Sequence, residues 1–245
     1  MARIDREAQE RFGIPGIVLM EDAAYGIFAA MREEIWEGEL PGGPVVFLAG
    51  KGNNGGDALA VARHCAFAGV RNLFVILGAG EPETESLAGL HLKILRNMGI
   101  EVVDYEDTRR AHRLVGEAAW LVDGLLGTGL SGEVRSPQKE LIRRCNRSSA
   151  ARLAVDIPSG IGDAYRKGYT AFRADYTLTV ELPKLCLYLP QARGFCGEIR
   201  IVPGGQHQPI CAEGLLRATH LRQVGNHQAD LHLTGRLRGF LSFYR

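Results

Sequence analysis

Three segments of the sequence place carboxylate, amide or hydroxyl side chains next to glycines: residues 50–57, 123–133 and 156–160. The first contains two asparagines and an aspartate among four glycines, and the other two each open with an aspartate. Carboxyl groups serve as general acids and bases, and glycines allow the backbone to come close to a ligand. These segments are therefore the candidates for a ligand-binding and catalytic site.

The segment 50–57 lies between an apolar run and an alanine-rich stretch. The run, residues 45–49, is short and bounded by proline and glycine, which is typical of a buried parallel strand. A helix is predicted over residues 58–68, with Asp57 as its N-cap and Gly69 just past its end. The free N–H groups at the start of such a helix favour an anionic group, so the segment is predicted to bind a phosphate.

Gly50, Gly52 and Gly55 match the dinucleotide-binding pattern G-x-G-x-x-G, which on its own is a weak signal. That pattern also requires an acidic residue about 20 positions later, at the end of the second strand. The predicted second strand, residues 73–77, runs instead into glycines, and the nearest acid is Glu81. An ordinary nucleotide-dependent enzyme, such as a dehydrogenase or a methyltransferase, is therefore a weaker alternative.

Beyond this segment, short apolar runs alternate with stretches of helical period. We predict further strands over residues 100–103, 120–122, 153–155, 175–180 and 199–202. We predict helices over residues 85–98, 108–118 and 137–146, the last with Ser136 as N-cap and Pro137 at its first position. This alternation indicates an α/β fold, with a mostly parallel sheet and helices on both faces. Because ligands bind beyond the carboxyl ends of parallel strands, the three polar segments are expected to converge on one crevice.

Two helices are predicted ahead of the first strand. One covers residues 3–12 and stops at Gly13, and the other opens at Pro15 and runs to about Trp36. They are expected to cover the sheet or to form a dimer contact.

The composition limits the class of protein. The chain has 245 residues, 46% of them hydrophobic and 23% charged, which suits one globular domain or a domain with an appendage. Its net charge of +1 gives no electrostatic case for nucleic-acid binding. No apolar run approaches the roughly 18 residues of a membrane span, and the charged N-terminus lacks a signal-peptide core, so a cytoplasmic location is expected. Five cysteines without C-x-x-C spacing indicate reduced thiols rather than a zinc site.

Four stretches of the sequence together resemble one known family. They are Gly-Asn-Asn-Gly-Gly-Asp at 52–57 followed by Ala-Arg-His at 62–64, the opening segment at 12–21, Asp-x-x-x-Gly-Thr-Gly-Leu-x-Gly at 123–132, and Asp-Ile-Pro-Ser-Gly at 156–160. The sequence resembles the YjeF N-terminal domain family, whose members are NAD(P)H-hydrate epimerases. These enzymes interconvert the R and S forms of hydrated NADH and NADPH (NADHX and NADPHX). The resemblance covers about residues 4–205 and implies a three-layer α/β/α Rossmann-like sandwich that forms a homodimer.

Carried over by position, the resemblance implies which residues form the site. Asp156 is expected to contact the hydrated nicotinamide and to be the catalytic acid and base. A potassium ion is expected between Asn54, Asp123 and Ser159, whose oxygens suit a large, weakly charged cation, and no second cofactor is implied. The other residues implied to bind substrate are Asn53, Asn54, Gly55, Gly56, Asp57, Gly127, Thr128, Gly129, Leu130, Ser131, Gly132 and Glu133.

The sequence departs from the family pattern in several places. Lys51 stands where proline is common, Ala58 replaces a usual glycine, and residues 161–166 differ from the usual continuation after Pro-Ser-Gly. None of these changes removes a predicted ligand contact, and the binding mode of residues 161–168 is left open. Lys184, which follows a proline after the sixth predicted strand, fits either a structural or a phosphate-facing cation.

We divide the chain into an N-terminal epimerase domain, residues 1–205, and a C-terminal extension, residues 206–245. The extension holds four of the seven histidines, at a spacing that fits no zinc pattern, and it is too short for the dehydratase domain that the family often carries there. The main alternative function is a non-catalytic scaffold of the same fold. The aspartates and asparagines kept in the three segments argue against it.

Overall fold

Seven strands form one sheet in the part of the chain that the structure, a computed structural model, describes: residues 2–204, with side chains from residue 5. The strands are β1 (Val45–Ala49), β2 (Leu73–Leu77), β3 (Glu101–Asp104), β4 (Trp120–Gly124), β5 (Ala151–Val155), β6 (Tyr176–Val180) and β7 (Glu198–Val202). Every adjacent pair is parallel, so the sheet is entirely parallel where the sequence predicted a mostly parallel one.

The strand order is β3-β2-β1-β4-β5-β6-β7. The chain moves outward from β1 through β2 and β3, then returns to the other side of β1 and continues from β4 to β7. The direction of progress therefore reverses between β1 and β4. In parallel sheets a ligand binds at such a reversal, beyond the carboxyl ends of the two strands.

Helices cover both faces of the sheet. They are α1 (Ala2–Phe12), α2 (Gly16–Ala30), α3 (Asn53–Phe67), α4 (Leu87–Asn97), α5 (Thr108–Glu117) and α6 (Gln138–Cys145). Buried residues of α2, α3 and α4 pack on one face, and those of α5 and α6 pack on the other. This confirms the predicted three-layer arrangement. The helical segment after Pro15 ends near the predicted Trp36, because α2 continues into one π-helical turn.

The central strand β1 shows why the sheet needs both helical layers. All five of its residues are buried, and alternate side chains point to opposite faces. Phe47 packs into the layer of α3, whereas Leu48 packs into the layer of α5 and α6. Full burial of such a side chain contributes about 1.5–3 kcal/mol, so β1 is anchored firmly beneath the segment that follows it.

The start of α3 is the largest difference from the sequence-based expectation. The helix was predicted to begin after Asp57, but it begins at Asn53, with Gly52 as an N-cap that has an extended backbone and no side-chain hydrogen bond. Asn53 and Asp57 therefore lie in the first turns of the helix rather than in a loop. The predicted end is confirmed, since Gly69 follows the helix with φ of 101°.

A smaller difference concerns α6. Pro137 lies at the cap position and the helix begins at Gln138, so Ser136 is not the N-cap that the sequence predicted. The Ser136 hydroxyl instead donates to the carboxylate of Glu140, 2.5 Å away. The other helices and strands lie within about two residues of their predicted bounds.

No helix within residues 2–204 is both long and apolar enough to cross a membrane. The predicted C-terminal extension, with its four histidines, lies outside the described residues.

Candidate active site

The structure brings the three polar segments together at the carboxyl end of the sheet. The Asn54 side-chain amide donates to the carbonyl oxygen of Leu126, 3.0 Å away, and so joins the start of α3 to the loop after β4. The Ser159 backbone N–H donates to Asp123 over 2.7 Å and joins the segment after β5 to β4. The predicted convergence is confirmed for these residues.

Two glycines of the first segment serve the packing of the protein itself. A Cβ atom at Gly55 would lie 2.0 Å from the carbonyl oxygen of Gly50, and one at Gly50 would lie 1.9 Å from that of Leu125. The sequence suggested that these glycines give a ligand access to the backbone. At these two positions the close neighbour is instead protein backbone, because α3 starts immediately against the end of β1.

The three residues predicted to hold a potassium ion form one connected, buried cluster. Asp123 accepts hydrogen bonds from the Ser159 hydroxyl at 2.7 Å and from the Ser159 amide, while the same hydroxyl accepts from Leu126 N–H at 2.8 Å. Asn54 reaches this cluster through the Leu126 carbonyl. The cluster offers carboxylate, hydroxyl, amide and carbonyl oxygens, a donor set that fits a hard monovalent cation.

Asp123 carries the charge of this cluster. It is fully buried at the end of β4, and burial raises its pKa to about 6. Among the described residues it forms no ion pair with a lysine, arginine or histidine. A buried carboxylate that is ionised near neutral pH and lacks a basic partner is electrostatically costly, which is the condition that a bound cation relieves.

Asp156 has an unusual backbone conformation. It follows β5 with φ of 62°, and Ile157 N–H donates to Val155 O at 2.7 Å across it, which closes a three-residue turn. A non-glycine residue with positive φ is strained, and such strain is common at functional sites. The turn directs the Asp156 side chain toward the end of the neighbouring strand β6.

The Asp156 carboxylate is anchored through one oxygen. Its Oδ1 accepts hydrogen bonds from Val180 N–H at 3.0 Å, from the Thr179 hydroxyl at 3.2 Å and from the Lys184 ammonium. Within the described residues Oδ2 accepts no hydrogen bond. The side chain is 18% exposed, so this second oxygen is available to a ligand in the crevice.

Lys184 is the functional residue whose role the sequence left undecided. It is an ion-pair partner of Asp156, and its ammonium also donates to Val180 O at 2.7 Å. Only 9% of its side chain is exposed. The sequence showed only that this lysine lies four residues beyond the end of a predicted strand. It did not indicate that Asp156 is the ion-pair partner.

Asp57, in the first turns of α3, lies close enough to Asp156 and Lys184 for both charges to act on its carboxyl group. Burial raises its pKa to about 8, with a further contribution from the negative charge of Asp156 and a smaller one from Asp5, against the opposing charge of Lys184. Asp57 is therefore largely protonated at neutral pH. The crevice holds one neutral carboxyl group and one carboxylate paired with a lysine, an arrangement that suits acid–base chemistry.

The loop after β4 contributes a more open wall. Gly127 lies against α3, since a Cβ there would be 3.3 Å from the Asn54 Cβ. Thr128, Gly129 and Ser131 are exposed, and Leu130 is half-buried. At the far end of the loop, Glu133 pairs with Lys139 of α6 over 2.7 Å.

A family model for the YjeF-related protein N-terminus matches residues 16–186 of the chain. The match contains the first turns of α3, the loop after β4, the turn at Asp156 and Lys184.

The chain is also similar to individual proteins of known name. It is 40% identical over 203 residues to an NAD(P)H-hydrate epimerase of Rhodopirellula baltica, which covers 82% of this chain and 80% of the relative. It is 35% identical over 214 residues to an NAD(P)H-hydrate epimerase of Pirellula staleyi, covering 86% and 92%. A bifunctional NAD(P)H-hydrate repair enzyme Nnr of Dictyoglomus turgidum is 31% identical over 198 residues, but the match covers only 37% of that longer protein.

Among solved structures, the yeast protein YNL200c is similar with a TM-score of 0.68 and 22% sequence identity, covering 82% of this chain and 84% of the yeast chain. At this identity the likeness concerns the fold alone, and it agrees with the three-layer architecture described above.

Proposed function

Since the chain belongs to the YjeF-related N-terminal family, we propose that it is an NAD(P)H-hydrate epimerase, which interconverts the R and S forms of NADHX and NADPHX. Two relatives that match most of the chain carry that enzyme name. Among the features of the site, the observation that carries the proposal is the Asp156 carboxylate, held on Oδ1 by Lys184 and open on Oδ2.

The reaction needs proton transfer but no change of oxidation state. The substrate carries a hydroxyl on C6 of the reduced nicotinamide, next to the ring nitrogen. The nitrogen lone pair expels the hydroxyl, which leaves as water after protonation, and C6 becomes part of an iminium ion. Water then adds to the other face of C6 and loses a proton, which gives the opposite epimer.

Two carboxyl groups of the crevice provide these protons. Asp57, which is largely neutral at pH 7, protonates the departing hydroxyl. Asp156 accepts the proton of the incoming water on Oδ2 while Lys184 holds Oδ1 in place. The proton then returns from Asp156 to Asp57, which resets both groups. Acid–base groups placed in this way contribute about 10²–10⁴ in rate.

The remaining segments bind and orient the substrate. The N-terminal N–H groups of α3, at Asn53 and Asn54, favour the pyrophosphate. The loop residues Thr128 to Ser131, of which Leu130 is half-buried and the others are exposed, follow Gly127, which lies against α3. This placement leaves the nicotinamide between α3 and the end of β5.

A potassium ion is bound by Asn54, Asp123 and Ser159 in this proposal. When bound, it would compensate the buried charge of Asp123 and hold the loop after β4 against α3. Because an ion that binds only the folded state stabilises it, potassium should raise the melting temperature more than sodium at equal ionic strength. Equal melting temperatures, or the same potassium effect in Asp123→Ala, would remove the ion from the proposal.

The protein acts as a cytoplasmic homodimer in this proposal. Two aromatic side chains on helices that pack against each other, Tyr25 of α2 and Phe67 of α3, are 59% and 70% exposed. Large exposed apolar side chains are among the features of protein interfaces. Sedimentation should report a dimer that Phe67→Ser weakens, and a monomeric parent chain would contradict this.

The experiment that tests the proposed activity starts from pure (R)-NADHX or (R)-NADPHX. Chromatographic separation of the two epimers should show that the full chain forms the S epimer faster than buffer does. A chain no faster than buffer would contradict the epimerase and leave a non-catalytic member of the family.

A further inference from the structure

One cationic side chain at the ligand end of the sheet has no role in the site described above. Lys51 lies between β1 and α3, is exposed, and forms no ion pair with any described residue. Its ammonium reaches the carboxyl end of β2, because an ideal Cβ on Gly80 would lie 3.6 Å from Lys51 Nζ. The charge therefore lies at the end of β2, which is two strands away from β4, the strand that carries Asp123.

If the proposed function holds, the position of the Lys51 ammonium can be compared with the expected position of the bound NAD(P)HX. The nicotinamide is placed at Asp156 after β5, and the pyrophosphate at the start of α3 above β1. The strand order continues from β1 to β2. Neighbouring strands are ~4.8 Å apart, so the end of β2 lies ~14 Å from the end of β5 across the sheet. An extended dinucleotide has a comparable length, which places its adenosine half at the end of β2.

The groups around the end of β2 distinguish a ribose hydroxyl from a ribose phosphate. Dinucleotide sites that bind a 2′-hydroxyl use an acidic residue at this strand end, whereas those that bind a 2′-phosphate use a cation. Here β2 runs into Gly78-Ala79-Gly80. The next acid, Glu81, is occupied by Arg96, which donates to its two oxygens at 2.6 and 3.1 Å.

We propose that Lys51 binds the 2′-phosphate of the adenosine ribose and makes the chain prefer NADPHX to NADHX. The ammonium supplies positive charge and hydrogen-bond donors to the phosphate oxygens. Because residue 80 is a glycine, no side chain fills the space beside the ammonium, where a Cβ atom would already be in van der Waals contact with Lys51 Nζ at 3.6 Å.

Asp104 is the opposing charge at this position. It ends β3, its Oδ1 accepts from Glu106 N–H at 2.9 Å, and its Oδ2 would lie 3.7 Å from the same Cβ position on Gly80. A carboxylate there repels a phosphate and attracts a hydroxyl. Lys51 and Asp104 are therefore expected to shift the preference in opposite directions.

The test uses two probes of the adenosine half that need no epimerase activity: adenosine 2′,5′-bisphosphate and adenosine 5′-monophosphate. Calorimetric titration of the full chain should show tighter binding of the bisphosphate by about tenfold, which corresponds to about 1.4 kcal/mol. Lys51→Met should abolish most of this difference, and Lys51→Arg should keep most of it. Asp104→Asn should increase it about threefold. Lys93→Met, at an exposed position on α4, is the matched control and should leave the difference as in the parent.

Equal binding of the two probes by the parent, binding of neither probe, or an unchanged difference in Lys51→Met would overturn the role of Lys51. The epimer assay is a separate readout. A chain that prefers the bisphosphate through Lys51 but does not form epimers faster than buffer would contradict the proposed function and leave this site standing.

Discussion

The turns that follow β5 and β6 have the same backbone geometry and hold acids in different surroundings. Asp156 and Glu181 each follow their strand with φ of 62°, and in both turns a backbone hydrogen bond of 2.7 Å spans the acid. Each turn is followed by a proline, at Pro158 and Pro183. The amide of each acid also continues the pairing to the next strand over 2.8 Å.

The side chains of Asp156 and Glu181 differ in the hydrogen-bond donors that the neighbouring strand places near them. Asp156 meets the Thr179 hydroxyl, the Val180 amide and the Lys184 ammonium at the end of β6. Glu181 accepts from the backbone N–H of Gly204, 2.8 Å away, just after β7. The strained turn is thus a way to aim an acid along the sheet edge. Whether that acid belongs to a site or ties down the chain depends on the neighbouring strand.

The largest expected effect is on the epimerisation rate, which should depend on Asp156 and not on Glu181. Asp156→Asn keeps the size of the side chain but removes its basicity, so epimerisation should slow by about 10²–10⁴ while substrate affinity falls much less. Glu181→Gln keeps an oxygen for Gly204 and should stay within about twofold of the parent, because it lies outside the proton path. Initial rates of S-epimer formation from the pure R form measure both.

Lys184→Met extends this test to the partner of Asp156. It removes the cation that holds Oδ1 and should slow the reaction as well, whereas Lys93→Met should not. Parent-like rates in Asp156→Asn would remove that residue from the mechanism. Equal losses in Asp156→Asn and Glu181→Gln would show that both turns act only through the fold.

The second effect concerns pH and is expected at the turn after β5, because the charge of Asp156 acts on the carboxyl group of Asp57. The pKa of Asp57 is raised to about 8, and in the proposed mechanism its protonated form donates the proton. Activity should therefore be present below pH 8 and decline as the pH rises through that value. Asp57→Asn should be slow at every pH and lack this decline.

Asp57 also makes an expected contribution to stability. The unfolded chain releases this proton near the ordinary value of 3.8, whereas the folded chain keeps it up to about 8. The unfolded state binds fewer protons between these values, so the free energy of unfolding should fall as pH rises from 4 to 8. Asp57→Asn should flatten that part of the profile in urea unfolding. In the activity assay, a decline above pH 8 that persists in Asp57→Asn would assign the pH dependence of the rate to another group.

The comparison also shows how far the sequence could predict the site. Asp156 was found because it follows a buried strand, but Glu181 stands in the equivalent place after β6 and the same rule does not separate them. Lys184 and Thr179 reach Asp156 only through the parallel pairing of β5 with β6. The pKa of Asp57 depends on a charge that the fold brings to it. These features come from tertiary contacts, which a linear pattern does not contain.

The fold itself was more accessible to the sequence than the site. Buried runs such as Val45–Ala49 and their alternation with helices predicted the layers and the strand ends. The start of α3 was misplaced because its cap, Gly52, uses backbone conformation rather than a side-chain hydrogen bond. A capping rule based on side chains therefore selected Asp57, which the structure places inside the helix.

The smallest expected effect tests whether the two turns share their strain. At φ of 62° an L-residue with a Cβ costs about 1–2 kcal/mol relative to glycine, while Glu181→Gly and Glu181→Ala lose the same hydrogen bond to Gly204. Glu181→Gly should therefore be more stable than Glu181→Ala by about 1 kcal/mol in urea unfolding, and the pair Asp156→Gly and Asp156→Ala should show the same order. At Lys93, an exposed position in the regular helix α4, the order should reverse, because glycine costs about 1 kcal/mol relative to alanine in a helix. If alanine proves as stable as glycine at position 181 but not at 156, the strain belongs to the turn after β5 alone, and the two turns are alike in shape only.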